Sequence, residues 1–121
     1  MTMYEIWAFE TDLGPNLNQR DLVGYKVEAI DGSIGKIDSA STQTGSSSIV
    51  VDTGPWILGK KVMLPAGVVQ RVDADDERVY VNRTKDQIKN APEFDDSMTR
   101  DEGYRGRLGS YYGPGGEGYR D

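Results

Sequence analysis

Residues 24–38 read GYKVEAIDGSIGKID, two short apolar-rich arms around an Asp-Gly pair, and this stretch decides how the chain folds. Asp31-Gly32 suits the positive φ of a tight turn, so GYKVEAI and SIGKIDSA are expected to form a hairpin. Gly35 interrupts the second arm as a bulge would. Moving outward, Thr42 to Ser48 (TQTGSSS) is a polar loop, and Ile49-Val50-Val51 is a β-branched run suited to a buried strand. Asp52 to Gly59 turns the chain, Lys60 to Leu64 (KKVML) is extended, and Pro65-Ala66-Gly67 interrupts it. VVQRV pairs with RVYVN across the acidic turn Asp73 to Glu77, with Val79 and Val81 on one face and Tyr80 on the other.

These runs are too short for ordinary helices and describe about six strands between Asp21 and Arg83. An open sheet of this size would expose unpaired backbone at both edges, which closure into a small barrel largely removes. The fold class is therefore all-β, a small and mostly antiparallel barrel. Thr84 and Gln87 have the spacing of a capping box, so a short helical turn follows over Lys85 to Asn90 until Ala91-Pro92 stops it. Beyond Asp95 lies a Gly/Tyr/Arg-rich tail. Thr99 and Glu102 make a second capping box, and Tyr104, Leu108 and Tyr111 share a helical face, giving a short helix over 99–112. Gly103, Gly106 and Gly109 each cost about 1 kcal/mol there, so only a docked helix would survive. Disorder is expected from Gly113 onward.

The chain has 121 residues and a hydrophobic fraction of 36%, enough for one modest core. It contains neither cysteine nor histidine, which excludes disulfides, thiolate nucleophiles, Cys/His zinc sites and histidine acid–base chemistry. The net charge of −6 is spread as −3 over residues 1–18, −1 over 19–94 and −2 over 95–121. No segment is net basic, which disfavours nucleic acid as a partner. No apolar run approaches the length of a membrane span. The start, MTMYEIWAFETDLG, lacks the basic and apolar regions of a signal peptide, and a cytoplasmic location is expected.

Residues 54–61, GPWILGKK, match the phosphate-binding pattern G-x-x-x-x-G-K-[ST] at Gly54, Gly59 and Lys60. Lys61 stands where the hydroxyl that holds Mg²⁺ should be, and KVMLPAG cannot be the helix that such a loop feeds. A turn is the better reading, with no cofactor or small-molecule ligand. Trp56, Ile57 and Leu58 then either fold over a barrel end or face outward. The acidic turn at Asp73, Asp75, Asp76 and Glu77 departs from a Ca²⁺ loop at its sixth and twelfth positions, Arg78 and Thr84, and reads as a solvated turn without metal.

GYKVEAIDGSIGKID, IVVDTGPWILGKKVMLPAGVV and VYVNRTKDQIKNAPEF occur in order over about residues 20–94, and together they resemble the PRC-barrel family. The ends resemble the extensions of stand-alone bacterial members: 1–18 an N-terminal extension, 19–94 the barrel, and 95–121 the tail. The resemblance implies a non-enzymatic adaptor that acts through protein contacts. It carries over no catalytic or cofactor residue. A ribosome-associated or RNA-processing role is the alternative that the same resemblance implies, and an enzyme of nucleotide or carboxylate chemistry is the third reading. Self-association, for example as a homodimer, belongs to the first. Its interface candidates are Trp56, Ile57 and Leu58, the N-terminal residues Tyr4, Ile6, Trp7 and Phe9, and the tail residues Tyr104, Leu108, Tyr111 and Tyr112. Tyr4 to Phe9 could add a strand to the barrel or to a neighbour.

Overall fold

A computed structural model describes residues 6–7, 22–41, 47–54, 60–95 and 102–119. Trp56, Ile57, Leu58, Tyr4, Phe9 and the capping residue Thr99 lie outside the described residues. The elements in chain order are β1 (Lys26–Ala29), β2 (Gly32–Ser41), β3 (Ser48–Asp52), β4 (Lys61–Pro65), a 3-10 turn (Ala66–Val68), β5 (Val69–Asp73), β6 (Arg78–Val81), α1 (Lys85–Lys89) and α2 (Glu102–Tyr112).

The strands form a single sheet in the order β4-β3-β2-β1-β6-β5. Every pairing is antiparallel except that of β1 with β6. β4 and β5 are thus the two ends of the ladder, yet only the buried turn Ala66–Val68 separates them in sequence. Six strands laid flat would hold their outer members roughly 24 Å apart at ~4.8 Å per strand. The four residue steps from Pro65 to Val69 reach at most about 14 Å. The sheet must therefore curl until its ends approach, which gives a barrel-like form. Its ladder stays open, and the expected closure is made by the curl and the linking turn instead of by β4–β5 pairing.

Irregularities in β2 accommodate the curl. Val27 faces Gly35 and Glu28 faces Ser33, so Ile34 is an extra residue, and a second shift between Ile37 and Ser39 adds Asp38. Two bulges bend this ten-residue strand between β1 and β3. Gly35 has φ 142°, and a Cβ there would lie 2.0 Å from the Asp52 carbonyl oxygen. β2 thus approaches the end of its neighbour β3 at a point where only glycine fits.

One core collects residues from all six strands and both helices, including Val27, Ile34, Ile49, Leu64, Val69, Val79, Ile88, Tyr104, Leu108 and Tyr112. β3 buries Ile49, Val50 and Val51, as its β-branched run predicts. The capping box at α1 forms: the Gln87 amide donates to Thr84 Oγ1, and the Thr84 amide donates to Gln87 Oε1. Asp31 adds a contact that spacing did not foretell, accepting the Lys85 amide at 2.8 Å and so tying the hairpin turn to the helix start. The acidic turn is closed by Asp73 accepting the Asp76 amide, and Arg78 bonds both Asp76 and Glu28.

α2 docks on the barrel. Its buried positions are Tyr104, Leu108 and Tyr112, so Tyr112 takes the third place that periodicity gave to Tyr111. Tyr111 is half-buried and its hydroxyl donates to the Gln87 carbonyl at 2.6 Å. Gly109 lies against Trp7 and Ile6, with a hypothetical Cβ 3.0 Å from Trp7 Nε1, so a residue that weakens the helix also admits its neighbour. Arg83, 1% exposed, donates to the carbonyls of Asn82 and Tyr112 at 2.6 and 3.0 Å. Residues 113–119 turn back on the helix, with the Gly118 amide donating to the Tyr111 carbonyl, where disorder was expected.

Gly35→Ala is expected to lower stability by about 2 kcal/mol or more, because it adds both strain and a backbone clash. Urea unfolding checks this, and a loss below about 0.5 kcal/mol would mean that the β2–β3 crossing yields easily.

Candidate docking groove

β4 runs antiparallel to β3 without a register shift. The Thr53 amide donates to the Lys60 carbonyl, and the Ala66 amide to the Ser47 carbonyl. In an antiparallel ladder the bonded pairs alternate, so residues 60, 62, 64 and 66 turn their backbone groups toward β3. Lys61, Met63 and Pro65 turn theirs away from β3. Pro65 fits there because its missing N–H is not needed by the β3 ladder.

Beside this edge runs a groove between β4 and the chain that leaves α1. Val62, Met63, Ile88, Ala91, Pro92 and Phe94 supply its apolar surface, and Lys60, Lys61, Lys89 and Glu93 its charged one. Its cavity volume is about 160 Å³, below the ~300 Å³ at which small-molecule pockets usually begin. One large side chain fits such a space better than a cofactor. Lys60 and Lys89 are exposed, while Lys61 pairs with Asp38 at 3.2 Å. Phe94 packs on the Tyr104 ring at 5.9 Å, so α2 supports one wall from behind.

The surfaces expected from sequence fall elsewhere. Ile6 is buried and Trp7 is packed on the core beneath Arg105, whose guanidinium sits 4.9 Å from the indole. Their carbonyls accept the Gly67 and Ser47 amides, and both residues lie in a turn. Tyr104, Leu108 and Tyr112 have no exposure, which corrects their place among interface candidates: they fasten α2 to the barrel. Tyr111 is engaged with α1. The chain after Lys60 enters strand β4, where a phosphate-binding loop would need a helix. Among the described residues no group of acidic side chains could hold a metal ion, and no helix is long and apolar enough to cross a membrane. The groove itself was missed. Its one sequence signal was Pro65 ending a strand, a mark of an edge, because Ile88 to Phe94 come close to β4 only through the fold.

No protein-family model matches the chain, and no curated protein does. Among solved structures, the chain is similar to the crystal structure of RimM from Pseudomonas aeruginosa, whose name assigns it provisionally to 16S ribosomal RNA processing. The identity is 20% and the TM-score 0.49, over 60% of this chain and 47% of that one. The matched part therefore spans about half of that chain's length.

Burial pushes the Tyr104 phenol up to about 12, against a smaller opposite pull from Arg105 and Arg107. Burial also raises Tyr112 and Tyr111. The unfolded chain gives up these protons near pH 10, so stability is complete below that pH and is lost as it rises toward 12. Phenolate absorbance from Tyr104 and Tyr112 should therefore appear together with cooperative unfolding, and Tyr104→Phe should move the alkaline midpoint upward. Titration of all seven tyrosines near pH 10 with the fold intact would contradict the burial of α2's inner face.

Proposed function

We propose that the chain is a non-enzymatic protein-interaction module of the PRC-barrel type. The groove between β4 and residues 88–94 carries this reading. It is apolar within, charged at its rim and too small for an ordinary cofactor. The family assignment rests on the ordered motifs of residues 20–94 and agrees with a six-stranded barrel-like sheet. Buried arginine and tyrosine fasten the tail to the barrel, which suits a rigid platform more than a site that must close around a substrate. The lysines at the groove could also meet phosphate, which is the form a ribosome-associated role would take, and the test separates the two.

Tagged full-length chain exposed to an extract of its own cells should retain a protein that survives nuclease treatment. Lys60→Glu combined with Lys89→Glu should reduce recovery several-fold, since both lysines are exposed at the groove. Recovery abolished by nuclease, or steep weakening with salt, would replace this reading with RNA binding. Self-association belongs to the same reading. Sedimentation velocity should then show a concentration-dependent dimer, and a monomer at the highest concentration reached would remove it.

A further inference from the structure

We infer that the groove receives Ile30 of a second copy of the chain, so that two copies pair about a two-fold axis, each with its hairpin tip seated in the other's groove. This rests on the protein-interaction reading and specifies its self-association. A projecting apolar side chain, its place relative to the groove, and the charge around each lead to this pairing.

Among the described residues, Val23 and Ile30 are the large apolar side chains left open to water, at 51% and 47% exposure. They stand at opposite ends of β1, and Ile30 occupies the tip of the β1–β2 hairpin. That tip is held from two sides: the Ile30 amide donates to the Arg83 carbonyl at 2.9 Å, and the next residue, Asp31, accepts the Lys85 amide. Ile30 therefore projects from a fixed backbone and loses little freedom on docking. The receiving surface is equally set, since Ile88 belongs to the capped helix α1 and Phe94 rests on Tyr104. Val62, Ala91, Pro92 and Phe94 are half-buried, so the walls can be reached from solvent. A volume of about 160 Å³ suits a single aliphatic side chain.

Projection and recess lie at the two ends of one short helix. The bond from the Lys85 amide to Asp31 places Ile30 at the start of α1, whereas Ile88 and Lys89 place the groove at its end. Five residues of helix span only ~8 Å. Asp86, Lys89 and Asn90 are exposed, so α1 has a face open to a partner. A half-turn about an axis across the middle of this helix exchanges its two ends. A second copy so placed presents its Ile30 to the first groove and takes the first Ile30 in its own. The arrangement closes at two copies, and each favourable contact occurs twice.

Charge supports the same pairing. Two chains of −6 repel each other at long range, so association needs local complementarity. The Ile30 end carries the exposed carboxylates Asp31 and Asp86, with Lys85 half-buried over Gly32. The groove end carries exposed Lys60 and Lys89 against Glu93, while Lys61 already pairs with Asp38. The half-turn brings the acidic end of each copy toward the basic end of the other.

The chain has no cysteine, so Ser33→Cys, exposed just after the hairpin tip, accepts a single nitroxide label. Mixed with isotope-labelled chain that carries no nitroxide, it should broaden the amides of Ala91, Glu93 and Phe94 in the other copy. Sedimentation velocity should show the dimer constant rising about tenfold with Ile30→Arg, which removes the apolar contact and sets a cation beside the lysines. Ile30→Ser, which adds no charge, should weaken the dimer several-fold and serves if the arginine lowers the urea midpoint. Joining Ile30→Arg to Lys60→Glu and Lys89→Glu should recover part of the loss, because the arginine then meets carboxylates; a merely structural effect of either change would not be rescued. A dimer indifferent to both Ile30 variants, or broadening centred on another face, would overturn the inference and leave self-association standing. A dimer that disappears with nuclease would overturn it in favour of copies bridged by RNA. A monomer at the highest concentration reached would remove the inference and self-association together, while nuclease-resistant capture of a different protein would still uphold the interaction reading.

Discussion

Everything in this fold depends on a short tether. The two ends of a six-stranded ladder are joined by the 3-10 turn Ala66–Val68, which cannot reach across a flat sheet. Curling is thus imposed by covalent geometry, and the remaining features accommodate it. The two bulges in β2 let one strand serve two directions, and Gly35 accepts the backbone of Asp52 at a distance no side chain would permit. Within the ladder β1 lies beside β6, the one parallel pairing among the described strands, and Arg78 reinforces it with its ion pair to Glu28 at 2.9 Å.

The barrel alone leaves an end to be sealed, and α2 seals it with an unusual residue. Arg83 is buried, and among the described residues its hydrogen bonds go to carbonyls instead of a carboxylate. One of these is the Tyr112 carbonyl at the last turn of α2, where the helix dipole is negative and its carbonyls lack internal partners. The charge is offset further by the Tyr112 ring, 5.8 Å from the guanidinium carbon. A helix weakened by Gly103, Gly106 and Gly109 is therefore held at three points: by Arg83, by its buried tyrosines and leucine, and by Tyr111 on α1.

Local rules made most of the fold legible. Asp31-Gly32, the β-branched run at 49–51, the Val79/Val81 alternation and the Thr84–Gln87 box all specify structure within a few residues, and each appears where the sequence places it. What stayed hidden depends on approach between distant segments. Asp31 reads as a turn residue and also caps α1. Gly109 reads as a helix defect and also makes room for Trp7. Tyr104, Leu108 and Tyr112 stand among the interface candidates although the glycines already call for a docked helix, because nothing in a linear pattern distinguishes an apolar face that meets a partner from one that meets its own barrel. The groove was illegible for the same reason, since Ile88 to Phe94 border β4 only after the sheet has curled.

The parallel pairing of β1 with β6 also bears on how the molecule comes into being. Glu28 and Arg78 stand 50 positions apart, and β1 has β2 on one side only until the last strand arrives. The first hairpin can form early, but the sheet cannot be assembled in the order in which its strands leave the ribosome. Until β6 is delivered, a chain under synthesis carries an unfilled strand edge lined by Val27 and Ala29, and its correct completion competes with any other strand in reach.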